Sequence, residues 1–280
     1  MRQNALLPDC SQVQIKHSVG RIPVAEILVI ADIHLSPANP QTDTFAALIA
    51  RAAKADALYI LGDLFDYWVG DDQPLPDAIG HTLDQLSALP CKKYFQAGNR
   101  DFLVGQNLLD RIGAEYLPDV FPLAHQGETM LLCHGDTLCT DDHAYQAMRL
   151  QLRSAAFRCD FLAKPLPERI AIAEGLRARS KTESSSKPED IMDVNPETLS
   201  ALMHSEESKL LIHGHTHRPA IHRLADGRVR VVTGDWSTHG WLVALNADVI
   251  TLERFDSSST EIIDRVNFSE SSKTARETPR

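Results

Sequence analysis

Six short apolar runs in this chain each end in a cluster of Asp, Asn, Gly and His, and that arrangement restricts the fold more than any other feature. Ile27-Leu28-Val29-Ile30 leads into Ala31-Asp32-Ile33-His34, Leu58-Tyr59-Ile60-Leu61 into Gly62-Asp63, and Tyr94-Phe95 into Gln96-Ala97-Gly98-Asn99-Arg100-Asp101. Met130-Leu131-Leu132 leads into Cys133-His134-Gly135-Asp136, Leu210-Leu211-Ile212 into His213-Gly214-His215-Thr216-His217, and Val231-Val232 into Thr233-Gly234-Asp235-Trp236. Runs this short, bounded by Gly and Asp, read as buried strands. Helical patterns fall between several of them, over Thr44 to Ala53 and Ala78 to Ala88. Strands alternating with helices predict a layered α/β fold. In such folds polar sites gather at the carboxyl ends of strands, so the six clusters are expected to converge on one edge.

With 280 residues, 43% of them hydrophobic, the chain can bury a large core. Its net charge of -10 argues against charge-driven binding to nucleic acid, and no nucleic-acid partner is expected. An anionic substrate stays compatible, because a bound cation reverses the local field. The five cysteines are irregularly spaced without a CxxC pair, which points to a reducing compartment. No signal core and no apolar stretch of about 18 residues is present, so the expectation is a cytoplasmic protein that at most touches a membrane surface. Nothing resembles a coiled coil, and no obligate protein partner is expected.

Residues 145–187 break the strand–helix rhythm. They carry a long helical pattern divided by Pro165 and Pro167, with apolar Tyr145, Met148, Leu152, Ile170, Ala173 and Leu176 at helical spacing. Nine basic residues against four acidic ones leave +5 in a chain that is acidic overall. The segment therefore reads as a lid-like insertion that meets something anionic. Residues 1–23 lack a pattern, and 257–280, rich in Ser and charge, are expected to be poorly ordered. That leaves one domain over 24–256.

The polar clusters carry metal chemistry. Asp32 and His34, two apart after a strand, can reach one cation. Asp63 ends a buried run, where a bare carboxylate is costly, and its two oxygens can bridge two metals. Asn99 offers a neutral carbonyl oxygen, and Arg100 a planar fork suited to phosphate. His134 follows another strand, and His215 and His217 flank one residue beside a glycine. Singly each motif is weak. Together Asp32, His34, Asp63, Asn99, His134, His215 and His217 make seven ligands, enough for two cations sharing Asp63. The mixed nitrogen and oxygen set favours Mn, Fe or Zn over Ca or Mg.

The set DxH, GD, GN, H and GHxH resembles the calcineurin-like metallophosphoesterase superfamily. That resemblance implies a two-layer β-sandwich flanked by helices. It implies one metal on Asp32, His34, Asp63 and His217 and a second on Asp63, Asn99, His134 and His215. Many members have a His after the Asn; this chain has Arg100. Losing that proton donor hurts release of an alkoxide but matters little when a phosphate, with a second pKa of about 6, departs. Arg100 thus favours a diphosphate bond as the target. Longer stretches, Gly62–Asp72, Gly98–Leu103, His134–Gln146, Arg179–Lys181, Ile191–Val194 and His213–His222, are similar to the UDP-2,3-diacylglucosamine diphosphatases of the Gram-negative lipid A pathway. The resemblance implies a lipid-linked UDP-sugar as substrate, two Mn²⁺ per chain, and work at the cytoplasmic face of the inner membrane. Substrate contacts are expected at Asn99, Arg100, Asp142, Ser180, Ser184, Lys187 and His215. Catalysis is expected of Asn99, Arg100 and Asp101, with Asp101 orienting its neighbours. On this reading the insertion's cations face lipid or phosphate and its apolar stripe lines an acyl groove.

Overall fold

A computed structural model describes residues 26–39, 41–184, 191–247 and 249–267. Its strands and helices run in the order β1 (Ile27–Ile30), α1 (Thr42–Ala52), β2 (Ala57–Ile60), α2 (Asp77–Ser87), β3 (Lys92–Phe95), α3 (Gln106–Ile112), β4 (Ala114–Tyr116), β5 (Val120–His125), β6 (Glu128–Cys133), α4 (His143–Leu152), α5 (Ala155–Leu162), α6 (Leu166–Ser184), α7 (Pro196–Ser205), β7 (Leu210–His213), β8 (Ala220–Arg223), β9 (Val229–Val232), β10 (Gly240–Leu245), β11 (Val249–Phe255) and β12 (Thr260–Asn267). All six apolar runs are strands, and the two helical patterns are α1 and α2.

The strands form two sheets, β12-β11-β10-β1-β2-β3-β4 and β5-β6-β7-β9-β8. Successive side chains of a strand point to opposite faces. In β1, Leu28 and Ile30 pack beneath α1, α2 and α3, against Phe45, Leu48, Leu83 and Leu108. Its alternate residues, Ile27 and Val29, meet Met130, Leu132, Ile212 and Val231 of the other sheet. Both faces of β1 are therefore buried, which is why it reads as an unbroken apolar run. Leu131, Cys133 and Leu211 cover the outer face of the second sheet with Leu199 and Met203 of α7. The result is the expected two-sheet sandwich flanked by helices. No helix among the described residues is long and apolar enough to cross a membrane.

The sheets bring the motif loops together. β1, β2 and β3 run parallel in register, as do β6 and β7, so the loops after them leave in a common direction. Backbone bonds then sew those loops to one another: Asp32 N–H donates to Gly62 O at 3.2 Å, His34 N–H to Asp63 O at 3.0 Å, and Gly214 N–H to His134 O at 2.9 Å.

The expected loose end from Ser257 needs correction. Asp256 Oδ1 accepts the N–H groups of Ser258 and Ser259 at 2.7 and 2.8 Å, which turns the chain back. Thr260–Asn267 then pairs antiparallel with β11, so the domain runs on through Asn267. The period-2 signal was obscured by a register shift at Leu252/Glu253 and by the edge position, which leaves Ile262 56% exposed. Residues 268–280 and the expected extension at 1–23 lie outside the described residues.

Candidate active site

Five of the seven expected metal ligands sit in a backbone conformation that side chains rarely adopt. Asp32, His34, Asp63, His215 and His217 have φ between 52° and 66°, and only Gln41, Gln126 and Glu207 join them among the described non-glycine residues. Each such residue costs about 1–3 kcal/mol and persists where its surroundings over-determine it. Close backbone contact supplies that constraint. A Cβ on Gly98 would lie 2.1 Å from Asp63 Oδ1, and one on Gly214 would lie 2.3 Å from Asp32 Oδ2. Only glycine lets these loops close on the carboxylates.

The seven side chains converge. His34 Nε2 is 3.4 Å from Asp63 Oδ2, and His217 Nε2 is 3.5 Å from Asp32 Oδ1. Asp63 Oδ1 is 3.8 Å from His134 Nε2. Asn99 Oδ1 lies 2.9 Å from both His134 Nε2 and His215 Nδ1. His134 Nδ1 faces Leu61 O at 2.8 Å, a backbone partner that turns the Nε2 lone pair toward the cluster. Asp32, His34 and His217 form one group whose ligand atoms lie within reach of a single cation; Asp32, Asp63 and His134 form another. Asp63 stands between His34 on one side and His134 on the other, the place of a shared ligand.

Electrostatics ask for positive charge here. Asp32 and Asp63 are 0% and 1% exposed. Burial alone would raise the Asp32 carboxyl, yet His217 beside it lowers it to about 2. Burial likewise opposes ionisation of Asp63, and His134, His34 and Arg100 hold it far below the usual carboxylate range. His134 and His217 are raised by the same carboxylates against burial, whereas burial and His134 push His215 down to about 4. Asp32 Oδ1 and His34 Nε2 are buried without a hydrogen-bond partner among the described residues. Two unsatisfied ligand atoms beside two buried anions fit divalent cations.

Arg100 borders this cluster. Its N–H donates to Asp63 Oδ1 at 2.9 Å, and its Nε lies 3.2 Å from Asp63 Oδ2. Asp101, expected among the catalytic residues, turns the other way. Its two carboxylate oxygens accept N–H from Leu64 and Gly98, each at 2.8 Å, and it is 0% exposed. Burial and neighbouring Asp63 push its carboxyl up to about 7, against those two donors. It fixes the loop that presents Asn99 and does not open on the cleft.

The helices of residues 145–184 pack beside the site. α4, α5 and α6 wall a cleft of about 120 Å³ that also reaches Asn99 and Arg100. Tyr145, Met148, Leu152, Ala173 and Leu176 of the expected apolar stripe line it, with Trp68 and Phe102 opposite. Ile170 instead packs on the core cluster. The segment's cations are divided: Arg149, Arg153 and Arg177 line the cleft while also pairing with carboxylates of the domain, and Arg169 is turned inward. Arg149 pairs with buried Asp136 at 2.7 Å and with Asp119 at 2.5 Å, and Arg153 with Asp119 at 3.3 Å. Arg169, 3% exposed, pairs with Asp72, and Arg177 with Asp66. These cations clamp the helices to the acidic domain.

Of the expected substrate residues, Asn99, Arg100 and Ser180 line the cleft. Asp142 caps α4, accepting Tyr145 N–H at 3.1 Å. Ser184 ends α6, and Lys187 lies outside the described residues. Sequence reasoning assigned Asp136 no role, although its His-Gly-Asp setting carries the same signal as Gly62-Asp63. It accepts from Tyr145 Oη at 2.6 Å, and the Tyr145 ring packs 5.8 Å from that of His215.

The calcineurin-like phosphoesterase model matches residues 25–219, the stretch that holds all seven convergent side chains. The chain belongs to the calcineurin-like phosphoesterase family. Among curated relatives, the UDP-2,3-diacylglucosamine hydrolase of Xanthomonas oryzae pv. oryzae is 44% identical over 242 residues, 81% of this chain and 98% of that protein. The enzymes of the same name from Edwardsiella ictaluri and Pasteurella multocida are 46% and 45% identical, covering 80% and 78% of this chain and 90% and 92% of those proteins.

Proposed function

We propose that the chain hydrolyses the diphosphate bond of UDP-2,3-diacylglucosamine, with two Mn²⁺ per chain, to UMP and 2,3-diacylglucosamine 1-phosphate. One observation carries the reading: the cleft is walled by apolar and aromatic side chains and opens directly on Asn99 and Arg100. A lipid-bearing phosphate needs both halves in one site. Relatives named for hydrolysis of this substrate support the choice.

Asp32, His34, Asp63 and His217 would hold one cation, and Asp63, Asn99, His134 and His215 the other. When bound, such cations lower the pKa of a water from about 15.7 toward about 7 and neutralise phosphoryl charge. Around them the chain's own groups orient the substrate. Arg100 steadies charge on the phosphoryl oxygens as water attacks the α-phosphorus. The leaving sugar phosphate departs as a stable anion, so no proton donor is needed where Arg100 stands. Asp142, Ser180, Ser184, Lys187 and His215 complete the substrate contacts. The protein works at the cytoplasmic face of the inner membrane, where Met148 and Leu150 of α4, 39% and 73% exposed, offer an apolar edge.

The test is release of UMP from UDP-2,3-diacylglucosamine, abolished by chelation and restored by Mn²⁺, in water labelled with heavy oxygen. Label is expected in UMP. Its appearance in the sugar phosphate, or turnover that survives chelation, refutes the mechanism.

A further inference from the structure

We infer that Asp66 is a positioning residue that aligns Arg100 with α6 of the insertion, and so couples the closed cleft to the reacting phosphate; this deepens the function proposed above. The Asp66 carboxylate joins two cations from distant parts of the chain. Arg100 Nη1 donates to its Oδ1 at 2.9 Å. Arg177, on α6, reaches the same carboxylate through Nη2 on Oδ1 and through Nε on Oδ2 at 3.3 Å. Arg100, Arg177, Asn99 and Ser180 all line one cleft.

Two features separate this arrangement from an ordinary surface ion pair. First, the other carboxylate on Arg100 is Asp63, which belongs to the metal-type cluster. A cation on Asp63 competes for the oxygens that Arg100 uses, so Asp66 is the anchor that metal loading leaves in place. Second, the backbone of Asp66 is tied to the ligand loops. Its N–H donates to Leu35 O at 3.0 Å, next to His34, while Leu35 N–H donates to Leu64 O at 2.9 Å, next to Asp63. A carboxylate fixed to the metal loops thus sets where the guanidinium lies relative to them. Asp66 and Arg177 are 28% and 32% exposed, and pairs that open to water add little to folding stability. Their placement matters more, since a displacement of about 1 Å at a reacting group can lower a rate about 100-fold. Like charges on Arg100 and Arg177 would separate without the anion between them.

The experiment compares wild type, D66N, R100A and D66N/R100A, all loaded with Mn²⁺. Affinity for inorganic phosphate, measured by calorimetric titration, serves as a readout that does not depend on the substrate assignment. D66N is expected to weaken phosphate binding on the order of 10-fold, and D66N/R100A to bind no more weakly than R100A, as coupled residues do. The same pattern is expected in kcat for UMP release, with KM for the lipid substrate changed less. Mn²⁺ affinity and Tm of D66N are expected to match wild type, and D66E to recover part of the loss. Losses that multiply in the double variant, or a fall in Mn²⁺ affinity or Tm that tracks the lost activity, overturn the proposal. Failure of wild type to release UMP would overturn the substrate assignment alone, because the phosphate cycle still decides the role of Asp66.

Discussion

Replacing Asp136 by Asn tests whether the insertion is held by a buried charge. Asp136 is 2% exposed and accepts from Tyr145 Oη at 2.6 Å and Arg149 Nε at 2.7 Å, with Arg153 Nη2 at 3.8 Å. Burial opposes its charge, yet His134, Arg153, His215 and Arg149 hold its carboxyl far below the usual range. Removing one partner of a buried pair typically costs about 3–5 kcal/mol. Asn keeps the shape and one acceptor, and Arg149 keeps Asp119, which is 46% exposed. The low end, about 3 kcal/mol, is therefore expected. For a domain of this size 1 kcal/mol moves Tm by roughly 2–4 °C, so D136N should melt about 6–12 °C below wild type. Circular dichroism of metal-free protein measures this without contribution from bound cations. Tyr145→Phe, which loses one hydrogen bond to a charged group, should fall by about 1.5–3 kcal/mol, and the two losses should not add. A D136N protein that melts within about 2 °C of wild type would refute the buried-charge clamp.

Three further outcomes follow from the same geometry. Gly98→Ala places a Cβ 2.1 Å from Asp63 Oδ1, so the variant is expected to fold yet lose Mn²⁺ binding by titration; wild-type affinity would show that the loop yields without moving Asp63. Burial and Arg230 push the fully buried His213 down to about 3, so the unfolded chain takes up a proton below its ordinary value of about 6.5 that the folded chain refuses. Metal-free stability should fall as pH drops from about 6.5, and His213→Gln should lower that slope by about 1.4 kcal/mol per pH unit in urea unfolding; an unchanged slope excludes His213 as a contributor. Arg169→Met removes the donors to Val69 O, Lys164 O and Asp72, and should speed proteolytic cutting between α5 and α6 while leaving the sandwich intact; an unaltered digestion pattern argues against its anchoring role.

The sandwich was legible where strands are buried on both faces. β1 and β2 are wholly buried, and their sequence shows as apolar runs because no position meets water. β12 was missed for the opposite reason: an edge strand with exposed Ile262 and a shifted register carries no clean alternation. The convergent polar side chains were legible because chemistry limits the choice of residue and the strand ends limit its position. That five of them have positive φ was not, since Asp and His in such conformations leave no trace in composition.

The insertion shows where charge counting stops. Its excess of +5 was evident, but a count has no direction. Arg149 and Arg169 are drawn inward because the domain offers Asp136 and Asp72 at the places where α4 and α6 cross it, and these partners stand in motifs that look metal-binding or loop-forming when read alone. The acidic residues of such a chain therefore do two jobs that sequence spacing does not separate. Asp32 and Asp63 face the imidazoles of the convergent cluster, with Arg100 beside Asp63, whereas Asp66, Asp72 and Asp136 pair with guanidiniums of the helical segment. What separates them is whether the neighbouring loop turns its carboxylate toward the strand ends or toward the helices. That is a property of the backbone, and in this protein Gly62, Gly98 and Gly214 decide it by letting the ligand loops touch.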